Sequence, residues 1–240
     1  MLIALSLVLL SAANAGLLVS TDDVGSLESA LLVDARPAGA YAAGHVPGAL
    51  HLDVNSLSEK RGDVTGLLKP LDQVRKILGD GGLDPGKRIV VYSAMDNAGD
   101  LSTAARLFWV LEYIGYEKVA VLDGGFAKWT AEGRATEQGQ TAAKPITLPE
   151  LKVREARLAS AANVDTLLDS HKGALVDSRP PEYFRGEKKS DAVKEAGHIP
   201  GAVNVPVDSS VGAGGSLKSW DELQDIAKSS GLDPKLPVIT

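Results

Sequence analysis

Three segments of this chain occur twice, in the same order. Leu31-Leu32-Val33-Asp34-Ala35-Arg36-Pro37 returns as Ala174-Leu175-Val176-Asp177-Ser178-Arg179-Pro180. Gly44-His45-Val46-Pro47-Gly48-Ala49 returns as Gly197-His198-Ile199-Pro200-Gly201-Ala202, and Gly82-Leu83-Asp84-Pro85 as Gly231-Leu232-Asp233-Pro234. Ordered self-similarity of this kind requires two copies of one structural unit. Asp34 precedes His45 by 11 residues while Asp177 precedes His198 by 21, so the second copy carries a ten-residue insertion.

Each copy reads as α/β. Short apolar runs at Ala30–Val33 and Ala174–Val176 predict buried strands. An amphipathic helix with Leu71, Val74, Ile77 and Leu78 on one face precedes the first Gly-Leu-Asp-Pro turn; Trp220, Leu223, Ile226 and Ala227 repeat it. Ile89–Tyr92 then predicts a strand, echoed by Val238-Ile239-Thr240. In the first copy a loop from Ser93 to Asp100 follows, with Asp100 as the expected N-cap of the next helix. A strand at Val119–Leu122 and Asp123-Gly124-Gly125-Phe126 close the copy. Alternating strands and helices imply parallel sheets flanked by helices. The expected organisation is residues 1–15 as a leader, 16–135 as one domain, 136–155 as a linker and 156–240 as a second domain. Nothing in the second copy matches the first beyond Val91, so the second domain is expected to be incomplete. Repeat completeness then predicts a natural length of about 280 residues.

Composition narrows the chemistry. The net charge of −6 argues against nucleic acid as the main partner. The chain has no cysteine, which excludes disulfides and any cysteine nucleophile within these residues. Met1–Leu10 is almost unbroken apolar sequence, and Ala13-Asn14-Ala15 fits a small-x-small cleavage pattern, although no basic residue precedes the run. A signal peptide and a periplasmic or secreted protein are expected, with no membrane contact after cleavage; the alternative is a buried N-terminal helix. The four scattered histidines predict no metal site, and no cofactor is expected. Gly81 to Lys87 matches part of a phosphate-binding loop, but Arg88 stands where Ser or Thr is needed and a strand follows. Gly212–Gly215 reads as a flexible surface loop.

The paired Asp-x-Arg-Pro and Gly-His-(Val/Ile)-Pro-Gly-Ala segments, with Leu122-Asp123-Gly124-Gly125-Phe126 and Trp129, resemble the rhodanese family, and the two copies resemble its tandem-domain sulfurtransferases. The resemblance implies a small anionic sulfur donor (thiosulfate or 3-mercaptopyruvate), a thiol or cyanide acceptor, and a cysteine persulfide at a strand end in the second domain. Backbone N–H groups curling into a helix N-terminus lower the pKa of such a thiol. In the first copy Ser93 holds the nucleophile position, and a serine with no adjacent base is inert there. In the second copy the offset from Ile89 to Val238 puts that position at residue 242, two past Thr240. No catalytic residue is therefore expected in this chain, which alone should be inactive. Arg185, in Phe184-Arg185-Gly186, resembles the family's donor-binding arginines, a task suited to a planar guanidinium. It fits a solvated loop equally well, because Pro180–Gly197 holds as many acidic as basic residues. Asp34/Arg36, Asp177/Arg179, His45 and His198 recur in both copies and are expected to be structural. The alternative function is a noncatalytic module that binds anions or a partner.

Overall fold

The computed structural model describes residues 16–191, 193–233 and 236–240. The expected leader, residues 1–15, lies outside them.

In the first unit the strands run β1 Leu18–Val19, β2 Leu31–Asp34, β3 Leu50–His51, β4 Ser58–Arg61, β5 Val64–Leu68, β6 Ile89–Tyr92 and β7 Val119–Leu122. The helices are α1 Ala38–Ala43, α2 Leu71–Asp80, α3 Ala98–Ile114 and α4 Gly125–Ala131. Five strands form one sheet in the order β1-β7-β6-β2-β3, every pair parallel. Parallel strands buried on both faces need apolar residues at every position, and β6 and β7 are buried throughout. Their side chains alternate between two cores. Ile89, Val91, Val119 and Val121 join the larger core with α2 and α3, while Val90, Tyr92, Ala120 and Leu122 join the smaller one with Trp129.

Helix α3 begins differently from expectation. The N-cap is Asn97, whose side-chain oxygen accepts from the Asp100 amide at 3.2 Å. Asp100 sits three residues inside, where its carboxylate accepts from the Asp96 amide and from Asn97 Nδ2, both at 3.0 Å. The helix stops at Gly115, which takes φ 109°; only glycine adopts this freely.

Residues 136–155 connect the units but are tied down along their length. Glu137 pairs with His45 in an antiparallel bridge, the Ile146 amide donates to Gly79 O, and the Arg154 amide donates to Tyr113 O. Leu148, Leu151 and Val153 pack on the larger core. Backbone polar groups in such a segment need partners when covered, and the first unit supplies them.

The second unit comprises β8 Ala174–Asp177, β9 Val203–Asn204 and β10 Val238–Ile239, with α5 Ala161–Ser170, α6 Pro181–Phe184 and α7 Trp220–Ser229. Its sheet runs β10-β8-β9, all parallel, over a small core of Val176, Val205, Ala227 and Leu232. Capping boxes at Ser160/Asn163 and Ser219/Glu222 start α5 and α7. The fold is therefore two α/β units, each a parallel sheet flanked by helices. Among the described residues no helix is long and apolar enough to cross a membrane.

The segment Gly212–Gly215 is not a free surface loop. A 3-10 turn at Ala213–Gly215 lies against the first unit, where a Cβ on Gly215 would meet Met95 O at 1.9 Å. Beside it the Leu217 amide donates to Asp123 Oδ1 at 2.9 Å, and Val207 enters the first unit's larger core.

Candidate active site

The carboxyl ends of parallel strands are where α/β sheets bind ligands. In both units that end is organised by the same Asp-x-Arg device. Arg36 Nε donates to Asp34 Oδ1 at 3.0 Å, and its Nη2 donates to Asp34 Oδ2 and to Gly44 O, each at 2.6 Å. The guanidinium also lies 4.0 Å from the Phe126 ring centre. In the second unit Arg179 Nε donates to Asp177 Oδ1 at 2.9 Å and Nη2 donates to Gly197 O at 2.8 Å. Burial pushes the Asp177 carboxyl up, but the Arg179 side-chain and backbone hydrogen bonds outweigh it and hold the group below its ordinary value. Each pair clamps the turn that carries Gly-His-x-Pro-Gly. This matches the structural role expected of Asp34, Arg36, Asp177 and Arg179.

The two histidines serve the same turns. His45 Nδ1 donates to Tyr41 O at 3.0 Å while the ring stacks on Tyr41 at 3.9 Å. His198 Nδ1 donates to Phe184 O at 2.7 Å and stacks on Phe184 at 3.6 Å. Sequence reasoning missed a third support. Register puts His51 opposite Asp34 and Asn204 opposite Asp177. His51 Nε2 donates to Arg36 O at 2.9 Å, and Asn204 Nδ2 donates to Asp177 O at 2.8 Å and Arg179 O at 2.9 Å. The identity changes between copies, so the repeat itself gave no signal.

The loop after β6 is closed in the first unit. Ser93 is 1% exposed, and its hydroxyl donates to the Asp100 carbonyl oxygen, so no base takes its proton. The Asp100 carboxylate takes up the Asp96 backbone N–H and the Asn97 side-chain amide. Met95, at φ 66° and buried, turns the chain under Gly125 and Gly215. Ser93 O and Ala94 O accept from the Phe126 and Ala127 amides, each at 2.9 Å. The Ser93 hydroxyl, the Asp100 carboxylate and the Ser93 and Ala94 carbonyls are thus all paired within the first unit.

Arg185 caps the C-terminus of α6, with its side chain more than half exposed. Its Nε and Nη2 donate to Glu187 Oε1 and Oε2 at 2.7 and 3.0 Å, and that pairing strengthens its hold on its proton. Neighbouring cations are also engaged: Lys188 with Glu182 at 3.1 Å and Lys189 Nζ with Lys194 O at 3.2 Å. Among the described residues no cluster of His, Asp and Glu has the makings of a metal site.

The rhodanese-like domain family model matches residues 21–132 and 160–240. A 3-mercaptopyruvate sulfurtransferase of Escherichia coli K12 is 32% identical over 211 residues, covering 86% of this chain and 72% of the relative. A thiosulfate sulfurtransferase of Azotobacter vinelandii is 31% identical over 212 residues, covering 88% and 75%. The crystal structure of SseA from Escherichia coli, a 3-mercaptopyruvate sulfotransferase of rhodanese fold, gives a TM-score of 0.80 at 27% identity, over 92% of this chain and 86% of that one. The anaerobic ergothioneine biosynthesis enzyme of Chlorobium limicola gives 0.75 at 23% identity, over 88% of this chain and 54% of that one; at that identity the likeness is one of fold alone.

Proposed function

This chain belongs to the rhodanese-like domain family, and on that premise we propose that the full-length protein is a sulfurtransferase whose persulfide cysteine is residue 242. The observation that carries the reading is the pairing of β10 with β8, which repeats the pairing of β6 with β2. On that correspondence residue 242 takes the place of Ser93, at the carboxyl end of the second sheet. In the reaction the thiolate of residue 242 attacks the sulfane sulfur of thiosulfate. The donor's S–S bond breaks, sulfite leaves with the electron pair, and a persulfide remains. A cyanide or thiol acceptor then attacks the outer sulfur, and the thiolate is regenerated.

With 3-mercaptopyruvate as donor the C–S bond breaks and pyruvate leaves as its enolate. Arg185 would exchange Glu187 for the donor's carboxylate or sulfonate, a bidentate partner of the same geometry. The self-closed Ser93–Asp100 loop gives the first unit a noncatalytic, supporting role. We further propose that residues 1–15 direct export; intact mass of the native protein should show cleavage after Ala15.

The direct test is thiocyanate formation from thiosulfate and cyanide, with pyruvate release from 3-mercaptopyruvate as the second arm. Turnover is expected from the full-length protein, with none from a chain ending at Thr240. Arg185→Ala should raise KM for the donor about tenfold with kcat less affected. A residue other than cysteine at 242 overturns the enzyme reading and leaves a noncatalytic module.

A further inference from the structure

Asp123-Gly124-Gly125 follows β7 at the carboxyl end of the first sheet, the end at which α/β sheets bind their ligands. Its chain is fixed there, because the Asp123 amide donates to Val19 O at 2.9 Å. Its side chain reaches the second unit. Asp123 Oδ1 accepts from the Leu217 amide at 2.9 Å, and Oδ2 lies 3.6 Å from Lys128 Nζ. Lys128 stands on α4, and its stem folds back over Gly124, where a Cβ would meet Lys128 Cβ and Cδ at 2.5 Å. Gly125 is as crowded on its other side, since a Cβ there would run into Met95 Cγ and Ser93 O. These three residues therefore join the closed loop, α4 and the second unit at one point.

The second unit meets that point with a closed turn. Val211 and Leu217 form an antiparallel bridge, the Gly212 amide donates to Ser216 O at 2.8 Å, and the Lys218 amide donates to Ser210 O at 2.9 Å. Gly215 lies directly on Met95 O, and Val207, Val211 and Leu217 pack on the first unit's larger core. Apolar contacts of this kind are non-directional. They hold two surfaces together without fixing the angle between them. The Asp123–Leu217 bond is directional, and among the described residues no other hydrogen bond crosses from residues 16–155 to residues 160–240. An amide covered by such a joint needs an acceptor, and a carboxylate is a stronger one than a neutral oxygen.

We infer that Asp123 is the residue that positions the second unit on the first, with Lys128 holding its second carboxylate oxygen. The first unit is then a partner-binding module whose partner is the second unit. The sheet end that α/β folds keep for a ligand takes a glycine turn of the neighbouring unit instead. Glycine at the contact fits this role, because Met95 O leaves no room for a side chain at position 215. The role goes beyond the sulfurtransferase reading and does not depend on it, because it involves no reacting atom.

Amide hydrogen exchange on the full chain reads the joint directly. Asp123→Leu keeps the bulk and removes the acceptor, and should speed exchange of the Leu217 amide about thirtyfold. Asp123→Asn keeps the accepting oxygen and should stay within about threefold of the parent. Lys128→Glu leaves the acceptor in place and sets a like charge beside it. Leu217 exchange should then rise about fivefold in low salt and fall back toward the parent in high salt. Met95, 1% exposed, is a second reporter, and its oxidation by dilute hydrogen peroxide should quicken in step with Leu217 exchange. The Val91 amide, in the buried strand β6, is the control and should exchange as in the parent. Equal acceleration of Val91 and Leu217 would mean general destabilisation and overturns the inference. So does an unchanged Leu217 amide in Asp123→Leu, or Asp123→Asn exchanging as fast as Asp123→Leu. Should Asp123→Leu fail to fold, Lys128→Glu decides: Leu217 exchange that ignores both the new charge and salt overturns the inference as well.

Discussion

The Asp34 side chain is fully buried, and the Arg36 guanidinium that pairs with it is 9% exposed. Removing one partner leaves the other charge buried and uncompensated, which costs about 3–5 kcal/mol. Arg36→Met should therefore destabilise the first unit by that amount in urea unfolding; a loss under 1 kcal/mol would mean that water reaches Asp34. The second pair adds a pH dependence. The Asp177 carboxyl titrates below its ordinary value in the folded chain. A depressed carboxyl pKa stabilises the fold above the unfolded pKa, and this contribution fades as pH falls through the folded value. The second unit should accordingly lose stability below about pH 4, and Asp177→Asn should flatten that part of the acid melting curve. The Asp-x-Arg spacing was legible in the sequence because two copies display it. The Asn97 cap was not. The choice between Asn97 and Asp100 as cap depends on which residue first takes helical dihedrals.

Helix α3 is the longest described element and is buried on nearly every side from Leu107 to Ile114. Its start depends on one side chain, since the Asn97 oxygen holds the Asp100 amide. Asn97→Ala should cost about 1 kcal/mol, read as a lower thermal midpoint. Asp100→Asn should cost less, because the amide oxygen still accepts from Asp96. Apolar strands and amphipathic helices were readable from periodicity. The antiparallel β4–β5 hairpin was not, because Ser58-Glu59-Lys60-Arg61 carries no apolar alternation and its pairing shifts register between Glu59 and Arg61. In the second unit the corresponding stretch shrinks to a single bridge, Val211 with Leu217. Local hydrogen bonding and a turn at Gly62, φ 57°, make this hairpin, and hydrophobic patterning does not report on either.

At the scale of the molecule the second unit's Gly212–Ser216 turn is seated on the first unit's closed loop. Gly215 takes φ 76° there, and no Cβ fits against Met95 O. Gly215→Ala should lower stability by about 2 kcal/mol, which for a chain of this size is a drop of about 5 °C in Tm. Limited proteolysis should then cut between residues 205 and 218, and an unchanged digestion pattern would show that the contact does not hold the units together. The connecting segment repeats the lesson: Glu112, near the end of α3, binds Arg157 at 2.8 Å and Arg154 at 3.5 Å, and Trp109 Nε1 donates to Arg157 O at 2.7 Å. A stretch rich in Thr, Gln and Pro reads as a linker in sequence because composition records its own propensities and not its neighbours. By itself the sequence determined the duplication, the α/β class and the family, since repeated motifs and short continuous apolar runs are local facts written along the chain. Only the tertiary structure decided that residues 136–155 and Gly212–Gly215 are fixed to the first unit. These are contacts between segments far apart in sequence, where the geometry of approach selects the partner.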